Sequence, residues 1–212
     1  MNDPVFAKWA AQELVWLPTR GMGFFPVTAA PYDAEYWQKY VGYADTVMGR
    51  AITAARVELV KRYAHCHAVV DVGIGCGAFI EARDSSLTYG FDINPVAVEW
   101  LEQRGMLLNP YESTVYAATF WDAIEHISDA HRMLANVERF AFMTVPIIPG
   151  NAPPPNGWRH FRPDEHCFYW TRNGLIAWMG EQGFTCREHN TMESLLGRED
   201  ANTFVFERYA TT

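Results

Sequence analysis

Ala68-Val69-Val70-Asp71-Val72-Gly73-Ile74-Gly75-Cys76-Gly77-Ala78 joins a short apolar run to a turn with three alternating glycines. A run of this length without polar alternation reads as a strand buried on both faces, and the turn as its exit into a helix from about Ala78. Glycine has no Cβ, so such a turn lets main-chain N–H groups approach a ligand at the start of the following helix. A second apolar stretch, Leu87-Thr88-Tyr89-Gly90-Phe91-Asp92, ends on an acid. That acid follows Asp71 by about 20 residues, the distance at which open α/β folds hold ribose hydroxyls. Turn and acid together predict an adenosine-bearing cofactor. The glycine spacing by itself leaves the kind open, because Gly73-x-Gly75-x-x-Ala78 also satisfies the dinucleotide fingerprint.

Outward from this stretch the chain alternates. Strands are predicted at 68–72, 87–92, 115–120 and 140–145, a helix at 95–104, and a short apolar piece at Met106 to Leu108. Such runs suit an α/β, Rossmann-like, doubly wound and mostly parallel sheet. Upstream, Asp33 opens a helical pattern running from Tyr36 to Tyr63, interrupted near Gly49. Residues 1–31, with Pro4, Pro18, Pro26 and Pro31 among aromatics, read as an irregular lead-in. Pro146, Pro149 and Pro153 to Pro155 break regular structure and open a loop reaching Thr171. The expected organisation is a helical cap over residues 1–67 and a cofactor-binding domain over 68–212.

The 212 residues carry 49% hydrophobic side chains, enough for a single α/β core. No apolar run approaches the length of a membrane span, and the first residues lack the pattern of a signal peptide, so a cytoplasmic protein is expected. The four cysteines form no Cys-x-x-Cys pair, and Cys76 lies inside the glycine turn, which favours reduced thiols. Net charge is −8, with the acidic excess concentrated between residues 68 and 155. No long basic footprint for nucleic acid is present, so a small-molecule acceptor gains weight, with nucleic acid or protein substrates still open.

The sequence resembles the class I S-adenosylmethionine-dependent methyltransferases. Their first motif, acid-x-Gly-x-Gly-x-Gly, is matched by Asp71, Gly73, Gly75 and Gly77, and their ribose-binding acid by Asp92. Phe120-Trp121-Asp122-Ala123-Ile124-Glu125-His126 is similar to the segment ending their fourth strand, where many small-molecule enzymes of the family carry Asp-x-x-Glu-His. Phe184 to His189 and Asn202 to Arg208 resemble their final antiparallel hairpin. The likeness spans roughly residues 68–209. It lapses between Asp92 and Val115, where the third-strand acid has no match. Asn109-Pro110-Tyr111 is similar to the Asn-Pro-Pro-Tyr of adenine-N6 and glutamine methyltransferases, yet lacks the second proline and precedes the wrong strand.

The resemblance implies S-adenosylmethionine as cofactor and no metal. Asp71 would anchor the turn and favour the ammonium end, and Gly73, Gly75 and Gly77 would leave room for the methionine part. Asp92 would hold the ribose, Ile93 and Asn94 would meet adenine, and Trp121 and Asp122 would reach the crevice. Candidate general bases are His126 and, in the dense loop Trp158 to Trp170, His160 and His166, with Arg159 or Arg162 available to an acidic acceptor. Two other functions use the same turn. A nicotinamide-dependent oxidoreductase would need neither the Asp122–His126 segment nor the hairpin, and a non-catalytic regulatory module would bind cofactor without turnover.

Overall fold

The computed structural model describes residues 14–25, 32–83, 86–150, 154 and 157–209. Its centre is a six-stranded sheet of β3 (Val69–Val72), β4 (Thr88–Phe91), β5 (Val115–Trp121), β6 (Val137–Pro146), β8 (Phe184–Asn190) and β9 (Ala201–Arg208), in the order β4-β3-β5-β6-β9-β8. The first four strands in that order run parallel. The hairpin β8/β9 lies antiparallel on the far side. All four residues of β3 are buried, as the unbroken apolar pattern requires of a central strand. The Met106–Leu108 piece adds only a single parallel bridge, Gly90 to Leu107, at the β4 edge.

Local chemistry sets the helix starts. Asp33 caps α1 (Ala34–Ala44) by accepting the Tyr36 N–H, and Thr46 caps α2 (Val47–Ala64) by accepting that of Gly49. The expected interruption near Gly49 therefore falls at Asp45–Thr46, with Gly49 inside the first turn of α2. Its lack of a side chain is needed there, since a Cβ would lie 2.2 Å from the Tyr43 carbonyl oxygen. Then follow α3 (Ala78–Arg83), α4 (Pro95–Gln103), α5 (Ala130–Ala135), α6 (Arg172–Glu181) and the short α7 (Met192–Leu195). Asn94 caps α4, with Pro95 at its first position. Val57, Leu59, Val60 and Ala64 of α2 pack with Val69, Phe140, Phe142 and Val205 of the sheet. A larger cluster built on Val70, Phe120, Met143, Trp170 and Phe204 fills the other part of the core.

Two loop expectations are corrected. Within the lead-in, Val15–Leu17 (β1) and Met22–Phe24 (β2) form a hairpin that pairs antiparallel with Phe168–Trp170 (β7), inside the supposed loop after β6. Strands of three residues are too short to show alternation in sequence. They are held instead by Phe25, Ile148, Trp158, Phe161 and Tyr169, a cluster assembled from distant segments. Residues 1–13 and 26–31 of the lead-in, including Pro4, Pro26 and Pro31, and Pro153 and Pro155 of the proline run, lie outside the described residues.

Candidate functional site

From β3 the chain crosses to β4 on one side and later returns to β5 on the other, so the sheet has its topological switch point at β3. Crevices outside the carboxyl ends of strands form at such points, and a cavity lies there. Gly73 and Gly75 after β3, Asp92 and Ile93 after β4, and Trp121, Asp122 and His126 at and beyond the end of β5 all line it. The three glycines have φ values of +74°, +57° and +80°, which side chains rarely adopt. Gly77 does not line the cavity; it lies against Trp100 of α4, 2.8 Å from where its Cβ would stand.

Asp92 closes the turn from the β4 side. Its carboxylate accepts the Asn94 N–H at 2.8 Å. Burial pushes its pKa up, while N–H groups of Asn94, Ile93, Ile74 and Gly75 work against that rise. Ile93 is exposed at the rim. Asn94 does not line the cavity: its amide caps α4 and donates to the Asp33 carbonyl at 3.0 Å, tying α1 to α4.

Asp71 sits beneath the turn, 1% exposed, and accepts the Thr119 hydroxyl at 2.6 Å. Burial pushes its pKa up to about 7, with the Thr119 hydrogen bond opposing. A raised folded pKa means that the folded protein holds the extra proton between the unfolded value and about 7, so stability from this group falls as pH rises through that window and is flat above it. Asp71→Asn, which can keep the Thr119 contact, should remove this slope and raise stability above pH 7 by on the order of 4 kcal/mol. Thermal unfolding of both proteins without cofactor at pH 5 and pH 8 checks it; parallel pH trends would refute the charge argument.

Asp122 has φ +56°, unusual for a residue with a side chain. Arg198 meets its carboxylate at 2.6 and 2.8 Å and Arg56 at 3.0 Å. Burial would raise its pKa, but the two guanidiniums hold it at about 2. Arg56 also reaches fully buried Glu193 at 2.7 and 2.8 Å, and the Thr144 hydroxyl donates to Glu193 at 2.8 Å. Beside this quartet, Trp121 lies 5.0 Å under the Arg56 guanidinium carbon.

The three predicted histidines separate. His126, in the 3-10 turn Ile124–His126, approaches the Glu165 carbonyl oxygen at 2.8 Å through Nδ1. A carbonyl only accepts, so Nδ1 carries the hydrogen and Nε2 the lone pair. Burial lowers the His126 pKa. His166 is 4% exposed with its ring 4.6 Å from that of His126, and burial, then the His126 charge, drive its pKa well down. His160 is not brought to the cavity. The Trp158 indole, in the buried cluster beside Phe161 and Tyr169, donates to Asp200 at 2.7 Å, and His160 bonds the Glu199 carbonyl at 2.7 Å, which holds His160 away from the cavity lining. Arg159 and Arg162 pair with Glu199 and Glu165 and also lie outside the cavity wall.

The opposite wall is aromatic. The Tyr32 and Tyr36 rings meet edge to face at 4.9 Å, those of Tyr36 and Tyr40 lie tilted at 4.8 Å, and the Tyr36 hydroxyl donates to that of Tyr40 at 3.1 Å. Burial pushes the Tyr32 hydroxyl up to about 12 and raises Tyr36 as well, so both remain protonated at neutral pH. Tyr36 and Tyr40 of α1 face the cavity, whereas Trp37 of the same helix packs on Trp100. Tyr32, Tyr111, Ser128, Asp129, Glu165 and Cys167 also line the cavity, and none of them is a site residue expected from the sequence. Tyr111 donates to Asp129 at 2.6 Å, an arrangement that the truncated Asn-Pro motif gave no sign of.

No family model matches this chain, and no curated protein matches it in sequence. Solved structures do. Magnesium protoporphyrin IX methyltransferase from Synechocystis PCC 6803 with bound S-adenosylhomocysteine superposes with a TM-score of 0.55 at 14% identity, over 82% of this chain and 94% of that one. The 1,6-didemethyltoxoflavin-N1-methyltransferase of Burkholderia thailandensis gives 0.52 at 14%, over 92% and 99%. The fold is that of the class I S-adenosylmethionine-dependent methyltransferases. The [4+2]-cyclase SpnF is also similar, with a TM-score of 0.52 at 12% identity over 74% of this chain and 81% of that one. The methyltransferase fold thus extends to a cyclase, so the reaction has to be argued from the site.

Proposed function

We propose that the protein is an S-adenosylmethionine-dependent methyltransferase acting on a small-molecule acceptor. The observation that supports this most is the convergence of Asp92, the Gly73–Gly75 turn and His126 on one cavity at the switch point of a methyltransferase fold. Bound there, S-adenosylmethionine supplies a methyl group on a sulfonium, already a strong electrophile. Asp92 would accept the ribose hydroxyls, Ile93 would flank the adenine, and the glycine turn would admit the methionine chain. In this reading residues 1–67 contribute the cap, with Tyr36 and Tyr40 of α1 shielding the cavity from water, and residues 68–212 the cofactor domain. Asp122, held by two arginines, shapes the wall.

His126 is the group available to take a proton from an O–H or N–H acceptor, through Nε2. Its lowered pKa keeps it neutral at physiological pH, so turnover should fall only on acidification below the ordinary histidine range. No helix among the described residues is long and apolar enough to cross a membrane, which fits a cytoplasmic enzyme.

Calorimetric titration with S-adenosylmethionine and S-adenosylhomocysteine, with NADH and NADPH as controls, tests the cofactor. Saturable binding of the first pair alone is expected; binding of a nicotinamide alone would overturn the proposal. Once an acceptor is found, His126→Gln should lower turnover about 100-fold or more with cofactor affinity unchanged, and His160→Gln should leave both intact. Equal effects of the two substitutions would remove His126 from the chemistry.

A further inference from the structure

Behind the cavity wall, Glu125, His126 and His166 bring one carboxylate oxygen and two imidazole nitrogens within 4.8 Å of one another. Glu125 is 1% exposed and its Oε2 has no hydrogen-bond partner; His166 is 4% exposed and its Nδ1 has none either. Buried polar atoms are nearly always paired, so two orphans in one cluster call for a missing partner. A single cation would satisfy the cluster by accepting electron pairs from all three groups at once. A hydrogen-bonding water can donate only two hydrogens, whereas a cation can accept from every ligand. The His126 ring is already set for this: Nδ1–H is spent on the Glu165 carbonyl, which fixes the tautomer and leaves Nε2 as the donor atom. Ligand histidines are usually oriented through just such a bond on the other nitrogen.

We propose that Glu125, His126 and His166 form a binding site for one divalent transition-metal ion, zinc or a first-row neighbour. Two imidazoles and one carboxylate suit these metals better than magnesium or calcium, which prefer all-oxygen shells. Ligand atoms at about 2.1 Å from an ion stand no more than about 4.2 Å apart, so binding draws the three groups slightly together. Three protein ligands leave at least one coordination position open, and because His126 lines the cavity, that position can face it. The site rests on the proposed methyltransferase only for its role: with the ion bound, His126 would serve as ligand in place of its role as base, and the ion would hold an acceptor oxygen and ease loss of its proton to solvent water. Spacing along the chain carries no sign of this site, because folding alone brings His166 to the Glu125–His126 pair: the Cys167 N–H and thiol donate to the Glu125 carbonyl at 2.8 and 3.2 Å, and His126 bonds the Glu165 carbonyl.

The test uses tag-free full-length protein titrated with zinc alone, without S-adenosylmethionine, so that failure of the cofactor reading leaves the result interpretable. One zinc per chain is expected after desalting, and cobalt(II) loading should give a visible d–d spectrum of mixed nitrogen and oxygen coordination. Glu125→Gln, near-isosteric, and His166→Ala should each weaken zinc binding at least about 100-fold, while His131→Ala, on an exposed helical position, should not change it. Thermal unfolding confirms that each variant folds; should the two buried-site variants fail to fold, the wild-type cobalt spectrum decides. Substoichiometric zinc, a cobalt spectrum without protein nitrogen ligation, or wild-type affinity in folded Glu125→Gln would each overturn the site. Cofactor binding with no zinc uptake would reject the metal and leave the methyltransferase standing.

Discussion

Replacing Arg56 by methionine should lower the protein's stability by about 3–5 kcal/mol, the range for stripping one partner from a buried ion pair. Arg56 is 14% exposed, while its partner Glu193 is fully buried. In the intact quartet two guanidiniums face two carboxylates, Asp122 and Glu193, and nearly every oxygen is used. Without Arg56, two carboxylates share Arg198 alone, and that of Glu193 has no access to water. Methionine keeps much of the apolar stem over Trp121, so lost packing contributes little. The check is urea unfolding of wild type and variant, with a lower midpoint at unchanged slope. Arg62→Met serves as comparison: Arg62 is 58% exposed, pairs with Glu188 on the surface, and should cost less than about 1 kcal/mol. Similar losses for the two variants would show that the quartet is no more than a surface cluster. Adding Glu193→Gln to Arg56→Met should recover part of the loss by removing the stranded charge.

This quartet also marks the limit of what the sequence could tell. Arg56 sits on α2, Asp122 follows β5, and Glu193 and Arg198 follow β8; only the folded sheet brings them together. What was legible was local: the apolar runs of β3, β5 and β6, the glycine turn with its positive φ angles, the acid at the end of β4, and the antiparallel hairpin at the end. Each of these states its own physics within a few residues. Asp122 was expected to reach the crevice, and it lines the cavity, but its commitment to two arginines had no local signature. The three histidines were alike in sequence, yet the Glu199 carbonyl holds His160 away from the cavity lining, while folding brings His166 to the Glu125–His126 pair. Tyr32 and Tyr111 enter the wall through the packing of α1 and α5, and β1 and β2 were hidden because a strand of three residues has no period to read.

The cofactor wall offers the second large effect. Asp92→Asn keeps an oxygen for the Asn94 N–H but puts an amide where, in the proposed cofactor pose, the ribose hydroxyls would need an acceptor, so S-adenosylhomocysteine binding should weaken about 30-fold or more. Gly75→Val should go further. Its φ of +57° is hostile to a β-branched residue, and its Cβ would stand 3.3 Å from the Tyr40 ring, placing two methyl groups between the turn and α1. Backbone strain alone could weaken binding by loosening the fold, so the comparison is Gly105→Val: Gly105 has a similar φ of +64°, but a Cβ there meets nothing within 4 Å. Both valine variants should lose stability through strain, on the order of 1–3 kcal/mol. Only Gly75→Val should abolish measurable binding in a calorimetric titration at a temperature where both are folded. If Gly75→Val binds S-adenosylhomocysteine as Gly105→Val does, the cofactor does not run along the glycine turn, and the ribose role of Asp92 falls with it.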